Sequence, residues 1–182
     1  MPTPDARLVE MALDGDQAAF TELYDRYARL VRAVCRDGAS DLNQAQDLAQ
    51  EVFLRAYNKL IELKDPQRFA YWLTGIARNV ARENRRKLFR ERHLWIGDEA
   101  EDLADELADP TAGRDSDRLA LLEQAMKVLS EQERLALHSF YLQGQDIERA
   151  RAAVGCSRSG FYRLLERARQ RVEQFVRQRE GQ

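Results

Sequence analysis

Ala19, Phe20, Leu23, Tyr24, Tyr27, Leu30, Val31 and Val34 recur at steps of three and four along the chain. That spacing puts them on one broad face of an α-helix, whereas a half-buried strand would alternate at every second residue. The same period returns in Leu42, Ala45, Leu48, Ala49, Val52, Phe53, Ala56, Tyr57 and Leu60, and again in Phe69, Trp72, Leu73, Ile76, Ala77 and Val80. A chain patterned this way hides its apolar surface by packing helix on helix, so the pattern predicts an all-α fold. With 9 glycines and 4 prolines in 182 residues, turn-rich β folds and glycine-rich phosphate loops lack their raw material.

Local signals divide the pattern. Asp16 is placed to cap the first of these helices, Asp37-Gly38 to stop it, and Asp65-Pro66 to interrupt before the third. From His93 to Asp117 the period fades into an acidic stretch broken by Pro110 and Gly113, where Leu103 and Leu107 could support only a short helical turn. Helical spacing resumes at Arg118, with Ser130-x-x-Glu133 as a capping box. The expected organisation is two small helical domains, 1–92 and 118–182, joined by an acidic flexible linker, 93–117.

Charge is segregated along this plan. Residues 68–92 hold eight Lys/Arg against two Asp/Glu, and 93–117 hold one against nine. Residues 118–182 hold twelve against eight, most of the excess beyond Arg149. Two separated basic surfaces in a chain of net charge −2 suit a polyanion such as nucleic acid. Other classes lack support. His93 and His138 have no neighbouring residues suggesting a metal or a catalytic triad, so an enzyme, a metal site and a cofactor are not expected. Cys35 and Cys156 lack CxxC spacing and read as reduced thiols. No apolar run approaches the roughly 20 residues that span a bilayer, and "MPTPDARLVEM" carries no signal-peptide pattern, so a cytoplasmic protein without membrane insertion is expected.

The stretch "AAVGCSRSGFYRLLERARQRV" joins a short helix to a basic one through a tight bend, the outline of a helix-turn-helix. Gly155 suits the corner because glycine adopts left-handed geometry without penalty, and Ser157 can cap the helix that follows. Arg158, Arg163, Arg167, Arg169 and Arg171 supply charge for phosphate contacts and guanine readout.

Taken in order, "DLAQEVFLRAYNKL", "FAYWLTGIARNVARENRRK" and "LSEQERLALHSFYLQG" followed by "VGCSRSGFYRLLERARQRV" resemble the extracytoplasmic-function (ECF) group of bacterial RNA polymerase sigma factors. The resemblance covers residues 15–92 and 118–176. It implies an alternative sigma factor whose partners are core RNA polymerase, promoter DNA and an anti-sigma factor or other regulator. It also implies a job for each motif. Asp47, Gln50, Glu51, Phe53, Leu54, Arg55 and Asn58 would dock on the polymerase clamp. Tyr71, Arg78, Asn79, Arg82, Arg85, Arg86 and Lys87 would melt and read the minus-ten element, with Arg90 also following phosphates. Arg158, Ser159, Tyr162, Arg163 and Arg167 would read the minus-thirty-five element. The linker acids, Asp98, Glu99, Glu101, Asp102, Asp105 and Glu106 among them, would thread the polymerase as a nucleic-acid mimic.

Read without the family, Asp47, Glu51, Arg55 and Asn58 make a solvated face with an i,i+4 pair between Glu51 and Arg55. Trp72 falls on the apolar side of its helix, leaving Tyr71 as the exposed aromatic. Two departures from the family stand out. Arg151 occupies the place where the family has a small residue at the helix crossing, so either Ala150 or Ala152 fills the crossing or Arg151 snorkels outward. Tyr162-Arg163-Leu164 stands where the family often carries a basic-Ser-Arg run. The alternative function is a helix-turn-helix transcriptional regulator, or a sigma-like adaptor acting without the usual promoter selection.

Overall fold

The structure, a computed structural model, describes residues 3–96 and 114–180. Among these the order is α1 (Asp5–Leu13), α2 (Gln17–Arg36), α3 (Leu42–Asn58), 3₁₀ turns at Leu60–Glu62 and Pro66–Arg68, and α4 (Phe69–Ile96). The second half contains α5 (Arg114–Lys127), α6 (Glu131–Leu142), α7 (Ile147–Val154) and α8 (Arg158–Glu180). No strand occurs among the described residues. Helix α4 runs beyond residue 92 and α5 begins before residue 118, so helix enters both ends of the stretch read as linker. Leu103, Leu107 and the linker acids Asp98 to Glu106 lie outside the described residues.

The helix starts are set by short polar side chains. Asp16 Oδ1 accepts from the amides of Ala18 and Ala19 at 2.9 and 3.3 Å, and Asp41 accepts from Gln44 N at 2.8 Å. Ser130 and Glu133 form the reciprocal capping box, each side chain satisfying the other's backbone amide. These bonds occupy amide donors that a helix leaves unpaired in its first turn.

The first domain packs α2, α3 and α4 around Leu23, Leu30, Val31, Val52, Phe69 and Leu73, all essentially fully buried. Burying each such side chain stabilises the fold by about 1.5–3 kcal/mol. Helix α1 was not expected from the long-period pattern. It adds Leu8 and Val9 to this core, and Asp5 at its start accepts from the Arg26 guanidinium and the Tyr27 hydroxyl. Burial, and next the Asp5 charge, push the Tyr27 hydroxyl far above its ordinary range. Where α2 ends, Gly38 lies directly on the backbone of α4: a Cβ there would overlap Ala81. Asn84 Nδ2 closes this approach by donating to Gly38 O at 2.7 Å.

The second domain has its own smaller core of Ala136, Ala150, Phe161, Leu164 and Leu165. The two domains do not stand apart. Leu135 of α6 and Ala153 of α7 are buried with the first domain's core residues, so α6 and α7 form a seam against α2 and α4.

Candidate nucleic-acid interface

Helix α4 carries the first basic surface. Its apolar side, Phe69, Leu73, Ala77 and Val80, is buried, which turns Asn79, Arg85, Arg86, Lys87 and Arg90 to solvent. Arg78 and Arg82 are different: both are half-buried and both bond to Glu131 at the start of α6. Arg82 Nη2 donates to Glu131 Oε2 at 2.6 Å, and Arg78 Nε donates to Oε1. Burial alone would raise the Glu131 pKa, but the two guanidinium groups outweigh it and hold the carboxyl below its usual range.

Tyr71 is exposed at one edge, with the Arg68 guanidinium 5.2 Å from its ring centroid. Its other edge meets the helix-turn-helix corner, where a Cβ added to Gly155 would fall on the ring. Trp72 is half-buried rather than wholly in the core. It packs partly on the core and, with Lys64, Asp65, Arg68, Tyr71 and Asn79, lines an open cleft of about 500 Å³. Proline after Asp65 and the Asp65 cap on Gln67 fix the chain entering this cleft.

The second basic surface is the bend between α7 and α8. Gly155 sits at φ 74°, ψ 36°, the left-handed corner that the sequence calls for. Ser157 Oγ accepts from Gly160 N at 3.1 Å, capping α8. With Phe161, Leu164, Leu165 and Ala168 buried, Arg158, Ser159, Tyr162, Arg163 and Arg167 project from the opposite face. The crossing of α7 is filled by Ala150 and Ala153, while Arg151 turns away and pairs with Glu148 at 2.5 Å. Of the alternatives left open by the sequence, the outward arginine and a buried Ala150 hold together, and Ala152 is exposed. Tyr162 is exposed and Leu164 belongs to the core, so at this departure only Tyr162 and Arg163 face outward.

Glu133 escaped notice as more than a cap. It is buried, and Arg171 Nη1 donates to it at 2.9 Å with Arg167 Nε 3.8 Å away, tying α8 to the start of α6. Arg167 therefore has an internal partner as well as an outward position.

On α3, Asp47, Gln50, Glu51, Leu54 and Asn58 form one exposed face, with Leu54 63% accessible. Phe53 does not join it. Its ring is buried against Tyr24, with centroids 4.5 Å apart, so its contribution to that face is to hold α3 in place. Arg55 is anchored internally, to Glu51 at 2.6 Å and across to Glu83 of α4 at 2.8 Å. The Glu51–Arg55 pair is the one its spacing suggested.

No group of three or more metal-binding side chains, and no helix long and apolar enough to cross a membrane, occurs among the described residues. The described residues form an all-helical protein that presents two separate cationic helical surfaces.

Comparison with known proteins narrows the class. Residues 23–91 match the model of Sigma-70 region 2. The chain is 32% identical over 174 residues to the probable RNA polymerase sigma factor RfaY of Xanthomonas campestris pv. campestris, covering 92% of this chain and 43% of that relative. It is 31% identical over 180 residues to the RNA polymerase sigma factor NccH of Alcaligenes xylosoxydans xylosoxydans, covering 94% of each. With the ECF RNA polymerase sigma factor SigF of Caulobacter vibrioides it shares 27% identity over 96% of this chain and 94% of that one. In fold it is similar to CnrH, solved in complex with the cytosolic domain of CnrY, at TM-score 0.62 and 22% identity over 96% and 97% of the two chains. It is also similar in fold to the sigma factor RpoE of Bartonella quintana, solved with the anti-sigma factor NepR, at TM-score 0.54 and 22% identity over 87% and 96%. The chain belongs to the ECF family of RNA polymerase sigma factors.

Proposed function

We propose that this chain is an alternative sigma factor that binds core RNA polymerase and directs promoter-specific initiation, acting by recognition and performing no chemistry of its own. The observation that carries this reading is the pairing of two surfaces in one family member: a basic, aromatic-edged α4, and a helix-turn-helix with a left-handed glycine corner and an outward row of Arg158, Ser159, Tyr162, Arg163 and Arg167. A repressor would use the second surface and leave the first without a role.

In this reading the exposed face of α3, built from Asp47, Gln50, Glu51, Leu54 and Asn58, docks on the polymerase. The α4 surface, with Tyr71, Arg78, Asn79, Arg82, Arg85, Arg86 and Lys87, holds melted minus-ten DNA. Aromatic edges there stack on unpaired bases, and guanidinium groups track the phosphates. Helix α8 enters the major groove of the minus-thirty-five duplex. Site of action is the cytoplasm, where polymerase is. An anti-sigma protein is a further expected partner, supported by the fold shared with the sigma factor RpoE solved with the anti-sigma factor NepR.

The test is transcription in vitro with purified protein, bacterial core polymerase and a pool of genomic promoter fragments, with transcript starts sequenced. Starts that need both proteins and share two spaced upstream motifs support the reading. Absence of starts, together with duplex binding by the protein alone, would replace it with a repressor.

A further inference from the structure

The outward face of α8 is not uniformly basic. Ser159, Tyr162, Arg163 and Glu166 are all exposed, at the i, i+3, i+4, i+7 spacing by which a helix lying in the major groove presents side chains to bases. At about 100° of turn per residue, Ser159, Arg163 and Glu166 fall within about 60° of one another. They lie opposite the buried side of the helix, Phe161, Leu164, Leu165 and Ala168. Arginines on the flanks are engaged elsewhere. Arg171 and Arg167 reach the buried Glu133 of α6 at 2.9 and 3.8 Å, and Arg169 lies 5.9 Å from the centre of the Phe140 ring. The middle of the face is left to a hydroxyl, one guanidinium and a carboxylate.

That carboxylate has a chemical consequence. In the groove it faces the phosphates of both strands, and without a donor to accept from it would weaken binding to every sequence alike. A carboxylate only accepts. Guanine and thymine present acceptor oxygens on their major-groove edges, and adenine sets its N6 amino group beside the N7 acceptor. Cytosine presents the N4 amino group alone. Gln170 Nε2 donates to Glu166 Oε1 at 2.9 Å, which steadies the side chain and leaves Oε2 for a further donor. From Ser159 to Glu166 is about 10 Å of helix at ~1.5 Å per residue, the rise of about three base pairs, so the two stand beside different pairs.

Resting on the sigma-factor reading, we propose that Glu166 is a specificity-determining residue of this chain, its carboxylate accepting from the N4 amino group of a cytosine in the minus-thirty-five duplex. The same group disfavours guanine and thymine at that place by setting acceptor against acceptor, and ranks adenine between them and cytosine.

The test uses holoenzyme formed from purified protein and core polymerase. Its template is a promoter from the transcription screen with the minus-thirty-five region randomised, and the templates that yield polymerase-dependent transcripts are sequenced. Wild type should favour cytosine over guanine or thymine about five- to twentyfold at one position. Glu166→Gln presents an amide that donates as well as accepts, so the preference there should fall below about twofold while other positions keep theirs. Glu173→Gln removes another exposed acid of α8, one already paired with Arg177, and should leave every preference as in wild type.

A uniform gain in yield on all templates with Glu166→Gln, its preferences intact, would overturn the proposal and make Glu166 a solvated acid at the edge of the groove. Preferences altered equally by Glu166→Gln and Glu173→Gln would overturn it as well, as an effect of net charge alone. Wild type that supports no polymerase-dependent starts would instead remove the sigma-factor reading itself.

Discussion

Thr74 offers the sharpest quantitative test of the domain seam. Its side chain is 1% accessible and its hydroxyl donates to Ala153 O across the interface. That carbonyl lies in the last turn of α7, where helical carbonyls have no partner within the helix. Thr74→Val replaces the hydroxyl by a methyl of similar size and leaves Ala153 O buried without this donor. The expected cost is about 1–3 kcal/mol, the penalty of an unsatisfied buried polar group. Thr74→Ser keeps the donor and removes one methyl, at about 0.8 kcal/mol. In thermal unfolding of a chain this size, each kcal/mol moves Tm by about 2–4 °C, so Thr74→Val should fall by about 2–12 °C and Thr74→Ser by less. Valine tolerated within about 0.3 kcal/mol, or serine more harmful than valine, would show that the hydroxyl does not hold the domains together.

Three further outcomes follow from single contacts. Gly38→Ala should destabilise by about 1–3 kcal/mol or more in urea unfolding, because its Cβ meets the Ala81 backbone and has no flexible side chain to displace. Burial holds the His138 imidazole below its usual pKa despite the Asp37 charge, so the unfolded chain takes up a proton that the folded one refuses. Stability should therefore fall as pH drops below about 6.5, before any loss from Glu131, whose lowered pKa keeps its contribution until pH falls below the ordinary carboxylate range. His138→Gln should flatten stability measured between about pH 7 and 5. In holoenzyme, Arg158→Ala and Arg163→Ala should each cost about 1–3 kcal/mol of discrimination between matched and mismatched minus-thirty-five sites, and equal loss on both sites would reassign them to phosphate contacts.

Much of this fold was legible because its determinants are local. Asp16, the Ser130–Glu133 box, Asp65-Pro66 and Gly155 each act on neighbouring backbone, and each stands in the structure where its chemistry placed it. Helix α1 was missed because 9 residues carry too few turns to establish a period; its hold on the fold comes from Asp5 reaching Arg26 and Tyr27, more than twenty residues away. Phe53 sits in the apolar register of α3 as well as in the motif, and packing against Tyr24 decides between them. The seam was invisible for the same reason. Glu131 reads as a first-turn helix acid, Thr74 as a polar residue on a basic helix, and Ala153 as a helix former. Only tertiary contact makes them partners.

The central claim is that two surfaces of one chain read two promoter elements only in the company of polymerase. Nuclease footprinting on a promoter recovered by the transcription screen, with and without core polymerase, tests it most directly. The account predicts little protection by the protein alone, and with polymerase two protected patches centred about 25 base pairs apart with an opened minus-ten strand. The same duplex footprint with and without polymerase, and no strand opening, would contradict it.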